Sequence, residues 1–165
     1  MTTKTVYDWS TYKYCVGSRN SLTKYCRDSR DGYNGFTDNS SSFVTPDVLL
    51  VLSDDVANIV WGGAWRIPTD DELEELETKC TWIWTTEKGV QGYKIIGKNG
   101  NQIFLPAAGC VDGSNVYGIG NSGYYWSSSL GTNSSSVYSI YFDYLTVSNV
   151  SRDRYNGRSV RPVCP

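Results

Sequence analysis

Pro68-Thr-Asp-Asp-Glu-Leu-Glu-Glu-Leu-Glu-Thr-Lys-Cys80 is the stretch from which the architecture can be read. Thr69 and Glu72 stand three apart after a proline, the pattern of a capping box in which two side chains satisfy two free backbone N–H groups at a helix start. Leu73, Leu76 and Cys80 then share one helical face, and Lys79 lies in the last turn, where a cation suits the helix dipole. The carboxylates Asp70, Asp71, Glu74, Glu75 and Glu77 are expected to be the solvated face of this helix, not an acid–base centre. Upstream, Ser53 is a candidate N-cap for a first helix, with Asp54 and Asp55 in its first turn. Val56, Ile59 and Val60 fall on one face of it, and Gly62-Gly63 ends it. The apolar run Val48–Leu52 suits a buried strand or a chain entering that helix.

Downstream of Cys80 the period changes from the helical one to two. Tyr93–Ile96 and Gln102–Leu105 flank Lys98-Asn-Gly-Asn101, and Asn-Gly between alternating segments signals a hairpin. Further strands are expected at Tyr124–Ser128, Val137–Tyr144, Thr146–Val150 and Ser159–Val163. Residues 1–45 are polar and turn-rich, with a short strand or two around Tyr12–Val16. Two helices followed by an antiparallel, loop-rich β region define an α+β class. The 165 residues suit one domain, 1–165.

Composition narrows the function. A net charge of −2 offers no electrostatic footprint for nucleic acid. No stretch is long or apolar enough for membrane insertion by a helix, and the N-terminus lacks a secretory signal. Five scattered cysteines with no Cys-x-x-Cys and no histidine argue against a metal site, and no cofactor is expected. Thirteen Tyr and six Trp are many for this length, and aromatic surfaces often mark recognition.

The last third is built differently from the rest. Lys, Glu, Gln and Met occur fifteen times in residues 1–102 and never in 103–165, where ordinary usage would supply roughly nine. Alternation sharpens the contrast. If Tyr138, Ile140 and Phe142 face a core, then Ser139, Tyr141 and Asp143 face the other way. The run Ser148-Asn-Val-Ser-Arg-Asp153 follows with no periodicity. Core-like positions interleaved with chemically miscellaneous exposed ones suit a diversified binding surface.

Several motifs together now resemble a known family. They are Trp61-Gly-Gly-Ala-Trp-Arg-Ile-Pro-Thr69, Cys80-Thr-Trp-Ile-Trp-Thr-Thr, Phe104-Leu-Pro-Ala-Ala-Gly109, Gly123-Tyr-Tyr-Trp-Ser-Ser-Ser129 and Arg154-Tyr-Asn-Gly-Arg-Ser-Val-Arg-Pro-Val-Cys164. In this order they resemble C-type-lectin-like domains of Bacteroidetes and gut phage. That group includes the major paralogous domains and the variable proteins of diversity-generating retroelements. The resemblance implies a C-type-lectin-like fold, two helices packed on small antiparallel sheets with long loops. It also implies an additional N-terminal strand near the C-terminal one; either Val6–Trp9 fills that role here or the chain is a trimmed or divergent version.

Retroelement mutagenesis acts on adenines, typically in Asn codons ending in a pyrimidine. Substituting the first two bases of such codons cannot yield Lys, Glu, Gln, Met or Trp, and residues 127–165 contain none of these. The resemblance thus implies a variable region at about 127–158. Its diversified, ligand-binding positions would be Gly131, Ser134, Ser136, Ser139, Tyr141, Asp143, Ser148, Val150, Ser151, Arg152, Asp153 and Arg158. Tyr138, Ile140, Phe142, Val147, Arg154 and Tyr155 would be fixed scaffold. The implied protein is no enzyme. It binds a macromolecular ligand, a cell-surface protein or glycan, from a phage virion or bacterial cell surface. The alternative is a non-diversified surface or adhesin-tip domain of the same fold. Calcium-dependent sugar binding fits less well, because Asp112, Asp143 and Asp153 are the sole carboxylate side chains after residue 103.

Overall fold

The computed structural model describes residues 6–19, 21–26, 28–37, 49–131, 133 and 135–165. Among the described residues, helices α1 (Val56–Trp61) and α2 (Asp70–Lys79) precede eight strands. These are β1 (Thr81–Glu87), β2 (Val90–Ile96), β3 (Gln102–Pro106), β4 (Ala108–Asp112), β5 (Asn115–Ile119), β6 (Ser122–Leu130), β7 (Ser136–Asp143) and β8 (Val147–Asp153). β1, β2 and β3 make one antiparallel sheet, and a five-stranded mixed sheet runs β5-β4-β6-β7-β8. The chain is α+β.

α2 starts where its capping box predicts. Thr69 accepts from the Glu72 N–H, and Glu72 accepts from the Thr69 N–H at 2.8 Å. Glu72 also takes a two-pronged bond from Arg66, both contacts at 2.7 Å, which holds its carboxyl down at about 2. Leu73 is buried, and Leu76 and Cys80 pack beside it against the core. The acidic face is not all solvated. Asp71, Glu74 and Glu75 are exposed, whereas Asp70 and Glu77 reach across to β8 and bind Asn149, at 2.6 Å and 3.0 Å. Burial raises the Asp70 carboxyl against the opposing effect of that Asn149 bond.

α1 corrects two expectations. Its N-cap is Asp55, not Ser53, and it begins at Val56. Asp55 is 1% exposed and accepts from the N–H groups of Ala57, Asn58 and, at 2.7 Å, Ile67. Val56, Ile59 and Val60 face outward, and Ala57 is the helix's buried residue. The helix is fastened by polar groups in place of an apolar stripe. Asn58 completes the clasp by donating to the Gly63 and Trp65 carbonyls, both at 3.0 Å. Asp54 is drawn away to the N-terminal segment, where Lys24, Tyr14 and Tyr25 all bond its carboxylate. Burial would raise the Asp54 pKa, but those three bonds outweigh it and hold the group at about 2.

That N-terminal segment, where described, is mostly turn and loop, without the short strand or two expected around Tyr12–Val16. Trp9–Thr11 and Tyr33–Gly35 are single 3-10 turns. Tyr12–Val16 contributes one isolated bridge, Cys15 to Leu22, and Val6–Trp9 forms no strand. Val48 lies outside the described residues, and Leu49, Val51 and Leu52 are exposed.

The core lies between α2 and the two sheets. Phe142 and Ile140 from β7 are completely buried beside Ile95, Leu105 and Tyr125. The Phe142 ring meets Tyr93 edge-on at 5.3 Å and stacks on Tyr125 at 5.9 Å. It can do so because β6 has a glycine opposite it. A Cβ on Gly123 would sit 2.1 Å from the Phe142 ring.

β4 and β6 touch as parallel neighbours at one pair, Gly109 and Gly123, and then fork. The C-terminal segment fills the fork. Gly157 exchanges two backbone bonds with Val111, at 2.7 and 2.8 Å, and Ser159 exchanges two with β6, both at 3.0 Å. The expected strand Ser159–Val163 is reduced to these contacts and a bridge from Val163 to Arg66.

Two outcomes test this account. Gly123→Ala is expected to cost about 1–3 kcal/mol in urea denaturation, and pairing it with Phe142→Leu should cost less than the two changes summed. Asp54 sets a pH dependence. Its folded pKa of about 2 lies below the ordinary 3.8, so its stabilisation is complete above about pH 4 and is lost as pH falls towards 2. Subtracting the stability–pH curve of Asp54→Asn from that of the parent should leave a difference that is constant above about pH 4 and changes only between about pH 4 and 2.

Candidate functional site: the outer face of the large sheet

Alternation divides β6 and β7 between two faces. Tyr125, Ile140 and Phe142 point into the core, so Tyr124, Trp126, Ser139 and Tyr141 point away from it. The β7–β8 register sets Ser148 opposite Tyr141, Val150 opposite Ser139 and Arg152 opposite Val137. These three β8 residues therefore join the outward row. Arg158 arrives from the filled fork, between the two residues that pair with β4 and β6.

Arg158 organises the face. Its guanidinium carbon lies 4.3 Å from the Trp126 ring centre and 5.2 Å from that of Tyr124, the geometry of a cation held on aromatic faces. Its Nη1 donates to Ser139 Oγ at 2.6 Å, and that hydroxyl donates on to the Val150 carbonyl at 3.2 Å. Ser139 is consequently 0% exposed. It lies on the side opposite the core, as alternation predicts, but beneath a guanidinium and not in water. Burial pulls the Arg158 pKa down to about 10, which leaves it charged at neutral pH. Its Nε is buried with no acceptor.

Beside it, the Tyr124 and Tyr141 rings lie 5.0 Å apart. The Tyr141 hydroxyl donates to Asp143 at 2.7 Å, and the other Asp143 oxygen accepts from the N–H groups of Leu145 and Thr146. That hydrogen bond, helped by burial, pushes the Tyr141 phenol up to about 12 and lowers Asp143. Asp143 thereby closes the β7–β8 turn and fixes the Tyr141 ring.

The proposed set splits into two groups. Ser139, Tyr141, Asp143, Ser148, Val150, Arg152 and Arg158 belong to the outer face. Gly131, Ser136, Ser151 and Asp153 gather at the far end of the sheet. Ser151 and Asp153 pair with Tyr138 and Ser136, on the opposite parity. Gly131 and Ser136 are buried, which corrects the expectation of exposure there. A Cβ on Gly131 would lie 2.1 Å from Ser136 Oγ and 2.8 Å from Ser151 Oγ, so the three positions share one space. Asp153 is half-buried and accepts from Tyr155 at 3.0 Å. Ser134 lies outside the described residues.

Tyr124 and Trp126 are the site residues that sequence reasoning missed. The signal was present in Gly123-Tyr-Tyr-Trp: once Tyr125 is assigned to the core, alternation turns its two neighbours outward. A cavity of about 250 Å³ lies between this strand and the N-terminal segment, lined by Trp126, Leu130 and Val137 together with Tyr14, Tyr25 and Asp54. The Asp54 carboxylate on its wall is already bonded by protein groups, which suits a joint better than a reactive site. Among the described residues, no three Cys, Asp or Glu are grouped as a metal would require, and no helix is long and apolar enough to cross a membrane.

Residues 68–163 match a family described as a domain of unknown function, DUF8237. The chain belongs to the DUF8237 family. The DUF8237 match opens at the proline before α2 and ends at Val163, so it takes in all eight strands and the whole outer face. Helix α1 and the N-terminal segment lie outside it. No curated protein and no solved structure matches the chain.

Two measurements probe this geometry. With ¹³C-labelled tyrosine, Tyr141 is expected to titrate near 12, and Asp143→Asn should return it towards 10. Gly131→Ala is expected to destabilise the domain by about 1–3 kcal/mol in urea denaturation, and Ser136→Ala should relieve part of that cost.

Proposed function

We propose that this domain is a C-type-lectin-like binding module whose outer sheet face is a ligand surface diversified by retroelement-directed mutagenesis. The observation that carries the reading is the register of β7 and β8. Positions implied to vary, Tyr141, Ser148, Val150 and Arg152, share one face with Arg158, while the scaffold residues Ile140 and Phe142 lie in the core. Substitutions on that face can change its chemistry without opening a cavity beneath it. Tyr141, Arg152 and Arg158 belong to the residue types that dominate interface energetics. A sheet face offers area more than depth, which suits a macromolecular ligand, a protein or glycan on a cell surface. The domain acts in recognition, not catalysis, and would be carried on a phage virion or a bacterial surface.

A second reading, a surface domain of the same fold without diversification, draws on the implied positions that are buried, at the far end of the sheet and beneath Arg158. Gly131, Ser136 and Ser139 are buried, and side chains larger than these would have to displace their neighbours. Sequencing the 3′ end of the gene across a source population separates the two. Diversification predicts substitutions concentrated at the codons for Ser139, Tyr141, Asp143 and Ser148–Asp153, with Ile140 and Phe142 invariant. Even or absent variation would leave the second reading standing.

A further inference from the structure

The outer face carries two arginines and, among the described residues, no ion pair for either. The five ion pairs found there involve neither Arg152 nor Arg158. The two guanidinium groups are close enough for Arg152 to disfavour the charge on Arg158. The three carboxylates of the C-terminal third are engaged elsewhere. Asp143 binds Tyr141 and its own turn, Asp153 accepts from Tyr155 and Ser135, and Asp112 pairs with Arg19. Asp153 still favours the charged Arg158 through space, without bonding it. A guanidinium has five N–H donors. The side-chain hydrogen bond that Arg158 makes uses one of them, on Ser139.

Such an arrangement is costly unless something offsets it. Two like charges are brought together, one of them largely desolvated, in a chain whose net charge is −2. The Tyr124 and Trp126 rings and the bond to Ser139 hold the Arg158 guanidinium in place before any ligand arrives, and with Nε buried the donors left for a ligand are those of the Nη atoms. Orientation of that kind suits two-pronged recognition of a carboxylate. The neighbouring tyrosine pair, Tyr124 and Tyr141, supplies ring area for whatever flanks the acid.

We propose that Arg158, laid on Tyr124 and Trp126 beside Arg152, is a receptor for an Asp or Glu side chain of a protein ligand, whose flanking residues pack on Tyr141. The proposal rests on the outer face being the ligand surface and adds the chemistry of its anchor. A peptide or loop is favoured over an acidic sugar because the anchor combines a fixed guanidinium with tyrosine rings on an extended sheet, the composition of a protein–protein hot spot.

The test is to pan a random peptide library displayed on phage against the full chain and measure the affinity of enriched peptides in solution. Enriched peptides are expected to carry Asp or Glu, and converting that one residue to its amide should weaken binding by about tenfold or more. This swap leaves the protein untouched, so it reads the contact without risk to the fold. Arg158→Lys, which keeps the charge but not the fork, should abolish most of the difference between acid and amide peptides. Enriched peptides that ignore the swap yet lose binding on Tyr141→Ala would overturn the acid anchor and leave the ligand face intact. Peptides indifferent to both variants would sink the ligand face as well. Enrichment of nothing, with heparin fragments binding in an Arg158-dependent way, would transfer the anchor to acidic sugars and overturn the protein ligand. Enrichment of nothing and no heparin binding would overturn the anchor outright.

Discussion

The ring of Phe142 resting against the bare backbone of Gly123 is the contact on which the rest of the domain depends. It draws β6 and β7 together, and it gives Tyr93 and Tyr125 a common ring to pack on. With Phe142 committed to the inside, period two obliges Tyr141 and Asp143 to the outside. The outer face is therefore a by-product of core packing. Its positions are set by residues that never reach the surface.

Electrostatics then divides the domain into joints and a face. Asp54, Asp55, Glu72, Asp70 and Glu77 each bond backbone or side chains on a neighbouring segment. They bind the N-terminal segment, α1 and β8 to the same frame. On the outer face the logic reverses, because Arg158 is held by rings and a hydroxyl, with no carboxylate. A charge stabilised by aromatic faces retains its capacity to attract an anion, whereas one neutralised by a carboxylate does not.

What could be read from the sequence was what local chemistry decides. The α2 capping box needs residues three apart, the β2–β3 hairpin needs Asn99-Gly100, and the alternation in β7 lies within eight residues. What escaped was decided at long range. The burial of Ser139 depends on Arg158, nineteen residues further on. The outward Val56, Ile59 and Val60 depend on Asp55 reaching Ile67, which lets α1 stand without an apolar seam. β4 and β5 carry Gly109 and Gly118 at positive φ, with Gly113 and Gly120 in the adjoining turns, and such glycines read as loop in a sequence. Tyr124 and Trp126 fall in an expected strand, but three consecutive aromatic residues do not by themselves say which of them turns inward. Extending the alternation by one residue on each side of Tyr125 would have turned them outward.

The filled fork has a consequence for how the domain is made. Gly157 and Ser159 pair with β4 and β6, strands that precede them in the chain by more than thirty residues. Closing so long a loop is slow compared with forming the hairpins within it. A partly folded chain can hold its hairpins and still lack the arginine that completes the face. Recognition thus becomes a property of the finished molecule. Its competence arrives with the last pairing to form and would be the first thing forfeited if that pairing came undone.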